Sequence, residues 1–507
     1  MAENNTADVI VIGSGLGGLV AAALLARYGK TVIVCESHTL PGGAAHGFER
    51  QGFKFDSGPS FFSGLGEPAS RNPLRQVLDA LEEPIQAIAY DPLGYYHLPE
   101  GTLPIYRQLT AYQAEVAHFT PQGAAELGNF VRRLFALYEP LSQIPSLGLR
   151  SDWRVVPFLL RYPGALLKLL PQLKAVQQST GTLLDQTVTD PWVRQLIDLE
   201  CFLLSGLKAH ATPAPEVAFV FGEQETAPVD YPVGGSEALV HALVRGLKKW
   251  GGELRLGTHV EQILVQQGRA VGVKLRRGET LHAPIVISNA TLWDTYAKLL
   301  APEALPTDFR QQALSTPAVH SFMHLHLGID ATGLEDLTVH HVVVHDRDRD
   351  LTTPGNTCMI SIPSVLDPAL APPGKHVVHA YTLEPWAGWQ RDATYNSRKR
   401  ERSEPLYRAL TQVIPDIRDR VELELIGTPL THQRFLRRYQ GTYGPAIATG
   451  IGEFPNCTTP IAGLFRVGDS TLPGIGVPAV TASGIICANS LVTSALASSL
   501  LSSLASS

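Results

Sequence analysis

The sequence predicts an α/β fold organised on a parallel sheet, with an α+β substrate domain inserted into it. Two observations carry the prediction: the stretch Asp8 to Glu36, and later segments whose patterning returns to that first unit. Val9 to Ile12 is a short β-branched run, the signature of a strand buried on both faces of a parallel sheet. Gly13, Gly15 and Gly18 follow in GxGxxG spacing, between that strand and a helical stretch ending at Gly29. Gly13 allows a tight turn, Gly15 lets backbone approach a pyrophosphate, and Gly18 brings helix close to strand. The helix N-terminus adds unpaired N–H groups and positive partial charge. A second strand, Thr31 to Cys35, ends in Glu36, placed to accept hydrogen bonds from an adenosine ribose. Strand, glycines, helix, strand and terminal acid together define a dinucleotide site in a Rossmann-like domain.

The chain has 507 residues, room for about three units at roughly 150 residues each. Charged residues make up 17 %, against about 25 % in ordinary globular chains. This hints at apolar surface or an apolar cavity. A net charge of −6 and the lack of a basic run exclude a nucleic-acid groove. Cys35, Cys201, Cys358, Cys457 and Cys487 lie far apart, which is neither a disulfide framework nor a zinc pattern. No cysteine pair at redox-motif spacing follows the first βα unit, which sets aside a disulfide reductase. With no signal-peptide core before the first strand and no long apolar span, the expected location is intracellular, cytoplasmic or peripheral to a membrane.

After Glu36, Gly42 and Gly43 mark a loop where backbone can lie close to a ligand, and Phe53 and Phe55 alternate as a short strand ahead of a turn at Asp56 to Pro59. Residues 75–230 read as mostly helical and belong to an inserted domain. Within them, residues 153–173 are apolar, with sparse cations and three prolines. They read either as broken helices in a membrane interface or as short helices covering a substrate tunnel. Glu223 and Glu225 read as a solvated loop, with an acid–base pair as the alternative. Leu239, Val240, Leu243, Val244 and Leu247 share one helix face, and residues 253–290 read as an antiparallel meander returning to the main sheet. Beyond it, His320, His324 and His326 fall on one side of a strand, followed by His340, His341 and His345. One strand's spacing does not make a converging ligand set, so no metal is predicted. The run at 346–350 reads as a solvated loop. Leu464 to Val467 reads as a strand with Gly468-Asp469 at its carboxyl end, and Pro478 opens a helix whose small residues admit a flat ligand. The serine-rich end is expected to fray.

These segments resemble the FAD-dependent carotenoid isomerases and desaturases of the amine-oxidase-like flavoproteins, over nearly the whole chain. The likeness rests on VIGSGLGGLVAA with Glu36, LPGGAAHGFERQGFKFDSGPS, YPVGGSEALVHAL, GGELRLGTHVEQILVQQGRAVGVKL, VISNAT and GLFRVGDSTLPGIG. HLHLGID, SIPSVLDPALAPPGKHVVHAY and IGTPLTHQRFLRRYQGTYGP look specifically like prolycopene isomerases, whereas Gly58-Pro59-Ser60 and residues 476–480 look desaturase-like. The resemblance implies FAD, held by Gly13, Gly15, Gly18, Glu36, Gly42, Gly43, Val260, Gly468, Asp469, Pro478, Ala479 and Val480. It implies FAD-binding parts at 1–74, 231–290 and 460–507, and substrate parts at 75–230 and 291–459. It places Arg434, Arg437, Tyr439 and Tyr443 at the mouth or floor of the substrate cavity, with Arg434 and Tyr443 as candidate catalytic residues.

The implied reaction is cis–trans isomerisation of a carotenoid or similar apolar polyene by reduced FAD, without net redox change. A helix N-terminus near Pro478 would favour the anionic reduced flavin. Two other functions stay open: a polyene desaturase or saturase with an external electron partner, and a flavin-containing carotenoid carrier.

Overall fold

The computed structural model describes residues 5–67, 70–449 and 453–505. Its first unit is β1 (Val9–Ile12), α1 (Leu16–Arg27) and β2 (Val32–Cys35). β1 and β2 are parallel, with Val9 opposite Val32 and Ile12 opposite Cys35. The sheet they begin runs Glu253–Arg255, β2, β1, Ile285–Ser288, Leu464–Arg466, every neighbour parallel. α1 lies on this sheet between the helices Gly235–Lys249 and Val477–Ser490. Enclosure on both flanks explains its sequence: LGGLVAAALLAR has no polar face because little of the helix meets water, and Leu16 through Ala26 are buried.

Two expectations for this region need correction. Residues 253–290 are not one antiparallel meander. Only Val260–Gln266, Arg269–Leu275 and Thr280–His282 pair antiparallel, while the strands on either side are parallel members of the main sheet. The serine-rich end does not fray through the described residues. It forms a helix, Ser494–Ala505, that buries Ala497 and Leu500 against the main core.

The second unit is a seven-stranded sheet in the order Val421–Gly427, Ser321–Asp330, Lys375–Glu384, Thr357–Ser361, His340–Val344, Gly94–Leu98, Gly101–Ile105. All its neighbours are antiparallel except His340–Val344 with Gly94–Leu98. The hairpin Gly94–Ile105 lies inside the stretch expected to be largely helical, yet it extends a sheet whose other strands come from residues 321–427. The longer helices of that stretch, Leu109–Phe119, Pro121–Ser142, Pro191–Ser205 and Ala214–Thr226, share a core with Phe322, Val342 and Leu383 of the sheet. His320 is exposed and precedes the strand Ser321–Asp330, so it does not join His324 and His326 on the buried face.

Glu216, in the helix Ala214–Thr226, has a buried Oε1 with no hydrogen-bond partner, and burial pushes its pKa up to about 8. Between the ordinary carboxyl range and that value, unfolding releases a proton that the folded protein holds, so this group's contribution to stability falls as pH rises. Glu216→Gln should therefore leave Tm unchanged near pH 4 and raise it at pH 8. Thermal melts of parent and variant at both pH values check this, and equal Tm at pH 8 would show the carboxyl to be solvated.

Candidate active site

The carboxyl ends of the parallel strands open onto a cavity of ≈ 920 Å³. At one end it is lined by Gly13, Gly15, Glu36, Val260 and Asn289, and further along by Gly42, Gly43, His46, Gly468 and Asp469. Its other end is mostly apolar, with Phe202, Leu203, Phe322, Met359, Leu383, Tyr381 and Tyr443.

Backbone proximity shapes the first end. A Cβ on Gly15 would lie 2.6 Å from Asn289 Nδ2, and one on Gly18 would lie 2.4 Å from the Gly13 carbonyl oxygen. Gly18 therefore packs helix on turn and is not among the residues lining the cavity. A Cβ on Gly17 would lie 2.9 Å from Gly468 N, so the first glycine turn and the Gly468 turn touch. Glu36 is buried. Its Oε2 accepts from Ser14 N at 2.8 Å and Ser14 Oγ at 2.7 Å, and its Oε1 accepts from His38 N at 2.7 Å. Ser37 Oγ also donates to Oε1 at 3.3 Å, so these donors fill the carboxylate's acceptor positions at the cavity wall, and the two hydroxyls among them are the donors a ribose could displace. Gly476, Val477 and Val480 line the cavity at the start of the helix Val477–Ser490; Pro478 and Ala479 sit in the same first turn without lining it. Asp469 is paired with Arg438, which also donates from Nε to Thr442 O at 2.6 Å and from Nη2 to Tyr443 O at 2.9 Å.

That ion pair was not legible in the sequence, where Arg438 is one of two adjacent arginines. The segment around it also differs from expectation. Residues 431–436 are not loop but belong to the helix Pro429–Leu436, closed at its start by a capping box between Thr428 and Thr431. Arg434 is exposed and lines the cavity, and Arg437 lines it with a left-handed backbone, φ 55°. Tyr439 does not: it stacks on Trp293, ring centroids 4.9 Å apart. Tyr443 lines the cavity edge-on to Phe322, and burial pushes its hydroxyl up to about 12.

Glu223 and Glu225 form neither a solvated loop nor an acid–base pair at the cavity. Both lie on the helix Ala214–Thr226. Glu223 is buried and accepts from Ser63 Oγ at 2.6 Å, and Glu225 accepts from Leu109 N at 2.9 Å. His324 and His432 line the cavity, and His324, His326 and His379 bring ring nitrogens within 4.8 Å of one another. His432 was not singled out by the sequence, because a histidine facing a strand histidine across the fold leaves no trace in local spacing.

The sequence pattern of the flavin-containing amine oxidoreductases matches residues 16–492. The chain belongs to that family. FAD is its cofactor, and the close-packed glycine backbones beside a buried acid fit such a dinucleotide. Among curated proteins, a chloroplastic prolycopene isomerase from an Oncidium hybrid cultivar is 36 % identical over 493 residues, 95 % of this chain and 83 % of that protein. A neurosporene-forming phytoene desaturase from Cereibacter sphaeroides is 28 % identical, over 94 % of this chain and 93 % of its own. Among solved structures, an oxidoreductase from Methanosarcina mazei superposes with a TM-score of 0.62 at 20 % identity, covering 94 % of this chain and 98 % of that one, which bears on the fold alone. No helix among the described residues is long and apolar enough to cross a membrane.

Proposed function

We propose that this protein is an FAD-dependent carotenoid cis–trans isomerase, converting poly-cis carotenoids such as prolycopene to all-trans forms with reduced FAD. The observation that carries the reading is the continuity of one cavity, from the glycine-rich dinucleotide end to an end walled by Phe202, Leu203, Phe322, Met359 and Leu383. An apolar polyene fits such walls, and the 36 % identity to a prolycopene isomerase supports the substrate class. FAD supplies the electron-donating chemistry, and the protein's residues position the polyene and exclude water. Gly13, Gly15, Gly42 and Gly43 would hold the pyrophosphate, with Gly18 letting the helix pack close to their turn, Glu36 would hold the ribose, and Val260 the adenine side. Gly468, Asp469 and Val480 would border the flavin ring, with Pro478 and Ala479 shaping the helix start from behind the cavity wall. The sheet topology supports assigning 1–74, 231–290 and 460–507 to FAD, and 75–230 with 291–459 to substrate.

A desaturase or saturase with an external electron partner is the second reading. It is favoured by one observation: Gly58-Pro59 and Gly476-Val477, from the desaturase-like segments, line the same cavity.

Three outcomes test these assignments. Glu36→Ala removes a charged acceptor, worth about 1.5–3 kcal/mol, so FAD should bind at least tenfold more weakly by equilibrium dialysis; unchanged retention would take Glu36 off the ribose. Anaerobic incubation of dithionite-reduced enzyme with a poly-cis carotene should give isomerised pigment with the same hydrogen count. Altered double-bond number would mean a desaturase or saturase, and unchanged pigment a carrier. In that assay Tyr443→Ala should lower turnover while flavin absorbance and Tm stay near the parent's.

Peripheral membrane association is proposed for residues 153–173. Trp153 is 79 % exposed, Leu160 66 % and Leu167 68 %, with Leu170 and Leu173 also exposed. Short helices with outward apolar side chains and nearby cations suit a lipid interface. The protein should co-sediment with liposomes, and Leu160→Asp with Leu167→Asp should abolish this. Equal partition of parent and variant would mean that the patch does not meet lipid.

A further inference from the structure

Four histidine rings pack together beside the apolar end of the cavity. His324 Nδ1 lies 2.7 Å from His379 Nε2, and His324 Nε2 lies 2.6 Å from His432 Nε2. Each contact needs one N–H and one lone pair, and a neutral imidazole has one of each. His324 uses both nitrogens, so the two bonds must point the same way along the chain.

A single atom sets that direction. His379 Nδ1 is buried without a hydrogen-bond partner. An orphaned buried N–H is the rarer arrangement in folded proteins, so Nδ1 keeps its lone pair and the His379 proton sits on Nε2. His379 then donates to His324 Nδ1, His324 donates from Nε2 to His432 Nε2, and His432 carries its proton on Nδ1. His432 lines the cavity, and with Nε2 engaged, Nδ1 is the nitrogen it has to offer there.

We propose that His432 is a hydrogen-bond-donor site in the cavity, its Nδ1–H fixed by the chain from His379 through His324, and that it receives an uncharged acceptor, a carbonyl oxygen or ring nitrogen. Neutrality follows from the surroundings. Burial lowers the pKa of His432 to about 3, with Arg438, His326 and His46 pushing the same way. Burial also holds His324 and His379 well below their ordinary value. A shared metal ion does not fit the same geometry. His326 and His379 are 7° from parallel with ring centroids only 4.2 Å apart, which stacks them in separate planes, so their in-plane lone pairs run side by side and do not meet at one centre.

The acceptor has two sources, the bound flavin ring or an oxygen on the polyene; only that identification rests on the function proposed above. The test is nitrogen-15 NMR of the histidine-labelled holoenzyme between pH 6 and 8. The expected spectrum has His432 protonated at Nδ1, bare at Nε2 and not titrating; a proton at Nε2, or an imidazolium, overturns the proposal. So does stoichiometric zinc in the purified protein. His379→Phe removes the group that sets the direction and should give His432 both tautomers while flavin absorbance and Tm persist; a single Nδ1–H tautomer in that variant would overturn the chain. If the variant does not fold, the parent spectrum decides. A His432 Nδ1 shift on reducing the flavin places the acceptor on the flavin. A shift with a keto-carotenoid but not with its hydrocarbon parent places it on the substrate. No movement in either arm overturns the donor site.

Discussion

Everything in this protein hangs on how closely three backbone turns approach one another at the carboxyl ends of the parallel strands. The turn after β1 touches both the loop at Gly42 and the turn at Gly468, and Asn289 packs against the first and the last of these. Side chains at these points would hold the segments apart by the width of a methyl group. A dinucleotide needs bare N–H groups along its pyrophosphate, and the absence of Cβ atoms that permits this packing also leaves such groups uncovered. The cost is that α1 must be made almost wholly of small and aliphatic residues, since it is enclosed by the sheet and two helices.

From this anchor the cavity extends into a second unit whose walls are chemically different. The first end relies on backbone and one fixed carboxylate, the far end on aromatic and aliphatic side chains from the seven-stranded sheet and the helices packed on it. Arg438 connects the two. Its pairing with Asp469 and its bonds to Thr442 and Tyr443 tie the cavity wall of one unit to the glycine turn of the other. This side chain thereby helps to hold the glycine-lined and apolar ends of the cavity in one geometry.

The sequence revealed what is local. β1, α1, β2 and Glu36 follow from periodicity, glycine spacing and a terminal acid, all within thirty or so residues. The strand at Phe53–Asp56 and the helix at 235–249 were legible for the same reason. What was missed depends on distant partners. Gly94–Ile105 reads as an interruption in a helical stretch because the strand it pairs with lies at His340–Val344. Glu225 looks solvated until the helix beginning at Leu109 needs its carboxylate for an unpaired N–H. Tyr439 looks like a cavity aromatic until Trp293 is seen to cover it. The final helix contains so many serines that only its burial against the main core distinguishes it from a loose tail.

The placement of the last strand of the parallel sheet bears on how the protein is made. Leu464–Arg466 pairs with Ile285–Ser288, and the helix Val477–Ser490 covers α1. During synthesis the glycine turn near residue 13 is therefore exposed while more than 450 further residues emerge from the ribosome. The hairpin at 94–105 likewise waits for residues 340–344 to supply its neighbour. Pairing across such separations is slow and leaves apolar surface and strand edges open in the meantime. Closure of the glycine-lined end of the cavity belongs to the final stage of this assembly, and the nascent chain before that stage is the form most in need of chaperones.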